Sequence, residues 1–183
     1  YARRLAEIAA DPAQFGRFGA AYSAPGGDLG FRATVAAALA GRYGWPLTAR
    51  NIALTSGSQS AFFTLFNLLA GDGADGQRRR ILLPLAPEYI GYADVGLSDD
   101  MLVSRPAAIE EFPEGLFKYH VRLEGLEDVP DVAAICVSRP TNPTGNVLSI
   151  DELQALDALA HRRGVPLIID AAYGLPFPGI QFT

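Results

Sequence analysis

The chain has 183 residues, of which 49% are hydrophobic and 19% charged, and its formal net charge is −5. This length can bury one substantial core, and the acidic balance argues against a nucleic-acid-binding surface, which is usually basic. A single cysteine excludes an internal disulfide, and no apolar run is long enough for a membrane-spanning helix. With no signal-peptide layout at the N-terminus, these features predict a cytoplasmic protein without nucleic-acid or membrane partners.

The first part of the chain is predicted to be mainly helical. Hydrophobic periodicity predicts helices over residues 1–10, 28–43 and 58–70. Asp28 is expected to cap the second of these, and the Gly- and Pro-rich residues 15–27 before it are expected to form a loop. Residues 51–55 read as a short apolar strand.

The rest of the chain alternates strand-like and helix-like segments. Strands are predicted at residues 80–84, 101–105, 117–121, 132–138 and 165–169. A helix is expected to begin near Glu88, and Ser149 with Glu152 forms a capping box for a helix over 149–163. We interpret Arg78, Arg79 and Arg80 as a solvated turn, and Cys136 as a small core residue. This alternation predicts an α/β domain around a largely parallel sheet.

Ligands of open α/β sheets bind beyond the carboxyl ends of the strands, so the residues that follow each predicted strand are the candidates for a site. The turn at Ser56, Gly57 and Ser58 leads directly into a helix. Its glycine permits a close approach of the backbone, and the free N–H groups of the helix start suit a phosphate. An ordinary helix cap explains this turn equally well on its own.

An aromatic ring and a rigid loop follow the next strands. Tyr89 could lie face-on against a flat heteroaromatic ring, although such a residue is more often a packing residue. The loop at residues 139–145 holds two prolines and a glycine around Asn142, so the amide of Asn142 can present a donor at one defined point. A turn that merely tolerates asparagine is the alternative.

A carboxylate ends the last predicted strand. Burying Asp170 there is costly unless a cation or several donors meet it, and a protonated pyridine nitrogen is such a partner. Tyr173 follows and could donate to an oxygen on the same ring; a simple Asp-capped turn is the alternative. A phosphate cradle, a stacking ring, an amide donor, a carboxylate and a hydroxyl together are the parts of a pyridoxal 5'-phosphate (PLP) site. No metal site is predicted.

The Asn142-Pro-Thr-Gly145 and Asp170-Ala-Ala-Tyr173 motifs, with the turn at 56–60 and the segment at 87–92, resemble the fold-type-I aminotransferase family, class I/II. The resemblance covers essentially the whole chain. It implies the three-layer, PLP-binding large domain of that family, with a mostly parallel sheet flanked by helices. It also implies transfer of an amino group between an aliphatic amino acid of the valine or alanine type and a 2-oxo acid such as pyruvate.

The resemblance assigns a role to each matching residue. Gly57 and Ser58, in the turn that begins at Ser56, would bind the phosphate of PLP, and Tyr89 would stack on its ring. Asn142 and Tyr173 would form hydrogen bonds with the 3' oxygen of the ring. Asp170 would pair with the ring nitrogen. Tyr22 matches a tyrosine that reaches the phosphate of the neighbouring subunit in a homodimer.

One family residue has no counterpart here. Lys118 is the single lysine, and it lies outside the context of the Schiff-base lysine, so we expect that lysine beyond Thr183 and expect Lys118 at the surface. We therefore expect a truncated chain: a lead-in segment at 1–45 and a partial PLP-binding domain at 46–183, inactive alone. An effector-binding domain of a PLP-dependent transcription regulator, or another transaminase or lyase of this fold, are the alternatives.

Overall fold

The computed structural model describes residues 1–19 and 21–174, and the chain divides into two compact units, Tyr1–Thr55 and Ser56–Thr183. The first unit contains the helices α1 (Ala2–Ala10), α2 (Pro12–Gly19) and α3 (Leu29–Tyr43), followed by a 3-10 turn at Ala49–Asn51. The carboxylate of Asp28 accepts a hydrogen bond from the N–H of Phe31 at 2.8 Å. The predicted cap of α3 is thereby confirmed.

Two predictions for the first unit are wrong. Residues up to Gly19 of the predicted loop belong to α2, because Asp11 caps that helix through the N–H groups of Ala13 and Gln14, and Pro12 suits its first position. The predicted strand at 51–55 does not form. The N–H of Leu54 donates to the carbonyl of Gly26 at 3.0 Å instead of to a neighbouring strand.

The second unit carries the sheet. Its elements are α4 (Ser58–Leu69), β1 (Gly71–Asp72), β2 (Arg78–Ala86), β3 (Leu102–Pro106), β4 (Ala108–Glu111), β5 (Phe117–His120), β6 (Val132–Ser138), α5 (Ile150–Arg163) and β7 (Leu167–Asp170), with short 3-10 turns at Ile90–Tyr92 and Pro113–Gly115. Strands β3, β2, β6 and β7 pair in parallel in that order, and β1 pairs antiparallel with the start of β2. A separate antiparallel hairpin joins β4 and β5.

Helices cover both faces of the parallel sheet. Neighbouring residues along a strand point to opposite faces, so each face can be read from the side chains that pack together. One cluster joins Phe62 and Phe66 of α4 to Ile81, Leu83, Ala134 and Cys136 of the sheet. The other joins Leu156 and Leu159 of α5 to Leu82, Leu85, Ile135 and Val137. The predicted three-layer α/β architecture with a mostly parallel sheet is therefore confirmed.

The structure tests three local predictions for this unit. Arg78 and Arg79 begin β2 rather than a turn, and their guanidinium groups pair with Asp72 and Asp75. The helix expected near Glu88 is reduced to the single 3-10 turn Ile90–Tyr92. Cys136 is completely buried, as predicted, and burial raises the pKa of its thiol.

Replacing Leu156 with alanine should strongly destabilise the second unit. Leu156 is fully buried between α5 and the sheet, and deleting such a side chain leaves a cavity that costs about 2–5 kcal/mol. Urea unfolding of the full-length protein that contains this chain would measure the loss. Leu116→Ala is the matched control, because Leu116 is 64% exposed and its truncation should change the unfolding free energy little.

Candidate functional site

A cavity lies at the carboxyl ends of β2, β6 and β7, where the sheet topology leads one to expect a ligand. Its volume, including space open to solvent, is about 560 Å³. The lining residues come from four separate stretches of the chain: Ser58, Gln59, Phe62, Tyr89, Ser138, Pro140, Asn142, Asp170, Ala172 and Tyr173. Five of the eight predicted cofactor-binding residues are among them.

Asp170 is the last residue of β7, and its carboxylate faces this cavity. Tyr92 Oη donates to Asp170 Oδ2 at 2.9 Å, and the N–H of Ala172 donates to Oδ1 at 3.0 Å. An ionised carboxylate can accept about four hydrogen bonds, so these two donors fill about half of its capacity. The remaining capacity fits one further donor from the cavity, such as the N–H of a protonated pyridine ring.

Tyr92 is a part of the site that motif reasoning missed. Its side chain is 1% exposed and packs against Phe62 and Phe66 beneath the cavity. Burial raises the pKa of the Tyr92 phenol, so the hydroxyl stays protonated and acts as a donor to Asp170. No local pattern signals this role, because Tyr92 and Asp170 are 78 positions apart in the sequence.

Tyr89 presents its ring to the cavity and meets the ring of Tyr92 edge-on, with 5.4 Å between the ring centroids. The ring of Tyr89 also lies directly over Gly91, where an added Cβ atom would approach it closer than 3.0 Å. Only glycine therefore leaves this ring where it is. A ring held flat against one wall of a cavity suits stacking on another planar ring.

The turn before α4 adopts a backbone conformation that favours glycine. Gly57 has φ 90° and ψ 166° and occupies the N-cap position of the helix, which receives no side-chain cap. The first N–H groups of an α-helix have no partner within the helix, and together they favour an anion. Ser58 begins the helix and lines the cavity, while Ser56 immediately precedes Gly57.

The loop after β6 is braced by its own hydrogen bonds. Thr141 Oγ1 donates to the carbonyl of Ser138 at 3.0 Å, and the N–H of Thr141 donates to the carbonyl of Asn146 at 2.9 Å. The N–H of Gly145 in turn donates to the carbonyl of Thr141 at 2.7 Å. These bonds hold Asn142 at the edge of the cavity, where its amide can reach a bound group.

The other predicted residues have different surroundings. Tyr173 lines the cavity with its side chain 45% exposed, whereas Tyr22 belongs to the first unit and is fully exposed there. Lys118 is half-buried rather than a free surface residue, which corrects that expectation. Its Nζ donates to Asn146 Oδ1 at 3.2 Å and to the carbonyl of Val147 at 2.7 Å. Thr183 lies outside the described residues.

Within residues 1–19 and 21–174, no cluster of His, Cys, Asp and Glu side chains has the arrangement of a metal site. None of the helices in this described part combines the length and apolar character required to cross a bilayer.

The fold is a parallel sheet covered by helices on both faces, with the cavity at the carboxyl ends of its strands. Residues 4–180 match the family described as Aminotransferase class I and II, and the chain belongs to that family. The prediction drawn from its motifs is therefore confirmed.

Among its relatives, the chain is similar to the valine–pyruvate aminotransferase of Escherichia coli (strain K12), with 56% identity over 162 residues, covering 88% of this chain and 39% of that protein. The crystal structure of valine–pyruvate aminotransferase from Salmonella typhimurium LT2 superposes with a TM-score of 0.76 and 47% identity, covering 99% of this chain and 45% of that one. N-succinyldiaminopimelate aminotransferase from Mycobacterium tuberculosis gives a TM-score of 0.71 at 25% identity, covering 88% and 41%. The chain thus spans about two-fifths of the length of these relatives.

Proposed function

We propose that this chain forms the cofactor-binding part of a PLP-dependent aminotransferase. Its reaction would exchange an amino group between an aliphatic amino acid of the valine or alanine type and a 2-oxo acid such as pyruvate. The observation that supports this most is the convergence of Ser58, Tyr89, Asn142, Asp170 and Tyr173 on one cavity at the sheet edge. The similarity to valine–pyruvate aminotransferases supports the choice of substrates.

The residues would bind three parts of the cofactor: its phosphate, its ring and the 3' oxygen. The backbone at Gly57 and the hydroxyl of Ser58 would bind the phosphate, and Tyr89 would stack on the ring. Asn142 and Tyr173 would donate to the 3' oxygen. When bound, PLP supplies an electron sink for the substrate's α-carbon.

Asp170 would hold the proton on the ring nitrogen, because a nearby carboxylate favours the charged form of the ring. The Tyr92 hydroxyl and the Ala172 N–H would orient the carboxylate of Asp170 for this task. Tyr89 and Phe62 would contribute aromatic, largely apolar surface to the cavity wall.

The remaining assignments concern the complete protein. We propose that its Schiff-base lysine and the arginine that binds the substrate carboxylate follow Thr183, that it is cytoplasmic, and that it works as a homodimer in which Tyr22 reaches the phosphate of the neighbouring subunit. The division into a lead-in segment at 1–45 and a partial cofactor domain at 46–183 belongs to the same proposal.

Two measurements test the proposed function. The full-length protein should bind PLP and transfer amino groups from valine and alanine to 2-oxo acids faster than from aromatic amino acids. A protein that binds PLP but prefers another donor would refute the proposed substrates, and a protein that binds PLP without turnover would favour a regulatory domain.

The chain of residues 1–183 should itself be unable to hold PLP covalently. Lys118 is engaged by Asn146 and Val147 and does not line the cavity. After incubation with PLP and borohydride reduction, mass spectrometry should therefore find no specific label on Lys118. Stoichiometric labelling there would show that Lys118 is the reactive lysine.

A further inference from the structure

The carboxylate of Glu88 lies behind the cavity wall and connects two of the segments that form it. Glu88 Oε1 accepts a hydrogen bond from the N–H of Ser138 at 2.9 Å, and Oε2 accepts one from Ser138 Oγ at 2.5 Å. The N–H of Tyr89 also donates to Oε2, at 3.1 Å. Tyr89 and Ser138 both line the cavity, so a single carboxylate joins the stacking ring to the end of β6.

The same carboxylate is also close to Asp170. Ser138 is the direct partner of Asp170 in the pairing of β6 with β7, and the negative charge of Asp170 acts on Glu88. Glu88 therefore bonds the backbone of Tyr89 and the strand end at Ser138 directly, and Ser138 in turn pairs with Asp170.

Glu152 provides a comparison within the same unit. It accepts hydrogen bonds from the N–H and the Oγ of Ser149 at 2.8 and 2.9 Å, and from the N–H of Val121 at 2.9 Å. Like Glu88, it is bonded by one serine through two groups and by one further backbone N–H, and in addition His120 Nδ1 lies 3.2 Å from its Oε1. Glu152, however, caps α5 and is absent from the cavity lining.

The two carboxyl groups nevertheless differ in their electrostatics. Burial, opposed by the hydrogen bonds and assisted by Asp170, raises the pKa of Glu88. For Glu152, burial is outweighed by the hydrogen bonds from Ser149, Val121 and His120, and its pKa is lowered. The surroundings of Glu152 thus favour its ionised form, whereas burial and the charge of Asp170 disfavour the ionised form of Glu88.

We propose that Glu88 is a positioning residue of the cofactor site, which ties the loop of Tyr89 to Ser138 and so fixes the stacking ring relative to Asp170. This inference rests on the proposed function. Glu88 would not contact the cofactor itself, and it would act through Tyr89 and Ser138.

The test compares Glu88→Gln with Glu152→Gln in the full-length protein, using PLP as the ligand. Equilibrium dialysis gives the PLP affinity, circular dichroism in the absorption band of PLP reports how rigidly its ring is oriented, and urea unfolding at pH 7 gives stability. Glutamine keeps the shape of Glu88 but loses the charged acceptor that binds Tyr89 and Ser138 together.

For Glu88→Gln we expect the PLP dissociation constant to rise about tenfold or more, as for a lost hydrogen bond to a charged group. The dichroism per bound PLP should also fall, with little change in the urea midpoint. Glu152→Gln should show the reverse: a lower urea midpoint, with affinity and dichroism unchanged. The stability due to Glu152 is present above the ordinary pKa of glutamic acid and is lost as the pH falls through its lowered pKa.

Four results would overturn the inference. Wild-type affinity and dichroism in Glu88→Gln would show that Glu88 positions nothing, and a failure of this variant to fold would make its role structural. Equal losses of affinity in both variants would mean that general destabilisation is the cause. Absence of PLP binding by the unsubstituted protein would instead refute the proposed function, and this inference with it.

Discussion

Asp170→Asn should reduce kcat/KM of the full-length protein by on the order of 100-fold or more, the usual cost of losing a preorganised electrostatic contact in an active site. Asparagine can still accept a hydrogen bond from the N–H of Ala172, which the native carboxylate binds at 3.0 Å. It carries no negative charge, however, and cannot hold a proton on the ring nitrogen. Steady-state kinetics with valine and pyruvate, together with the PLP dissociation constant, would measure both consequences.

Tyr92→Phe is the graded control for this prediction. It removes the 2.9 Å hydrogen bond to Asp170 Oδ2 and keeps the ring that packs against Phe62 and Phe66. Because the carboxylate remains, we expect a loss of only about tenfold, comparable to one hydrogen bond to a charged group. If Asp170→Asn kept near-wild-type turnover, or if Tyr92→Phe were the more damaging change, the role given to Asp170 would be wrong.

Gly57→Ala should weaken PLP binding by about tenfold or more and lower the unfolding free energy by about 1–3 kcal/mol, the cost of a backbone conformation that is essentially restricted to glycine. Among the residues that the structure describes, none would lie within 4 Å of an added Cβ atom at Gly57, so we attribute the cost to φ 90° and ψ 166°. Relaxing that strain turns the first N–H groups of α4 away from their present direction. Equilibrium dialysis with PLP and urea unfolding would separate the two effects.

Gly164→Ala is the matched control for Gly57→Ala. Gly164 ends α5 in the left-handed conformation, with φ 65° and ψ 31°, and within residues 1–19 and 21–174 an added Cβ atom would again meet nothing within 4 Å. We expect a loss of about 1–2 kcal/mol in stability and no change in PLP affinity. Unchanged PLP affinity in Gly57→Ala would exclude this turn as the phosphate cradle.

Much of the framework follows from local sequence signals. The apolar runs of β6 and β7, and the capping box at Ser149 and Glu152, are short-range patterns that the tertiary structure leaves in place. Asn142 and Asp170 could be found for the same reason, since each follows a recognisable strand. The strand predicted at 51–55 does not form, because the N–H of Leu54 donates to the carbonyl of Gly26. Hydrophobic periodicity cannot predict such a distant partner.

The sequence by itself determined the family, the parallel sheet and the candidate site residues at its strand ends. Only the tertiary structure decided how those residues are held. Tyr92 bonds Asp170 across 78 positions, and Glu88 bonds Ser138 across 50. No periodicity or short motif spans such distances. Contacts of this kind form only when the parallel sheet brings its strand ends to one edge. They can therefore be identified from the tertiary structure but not from the sequence.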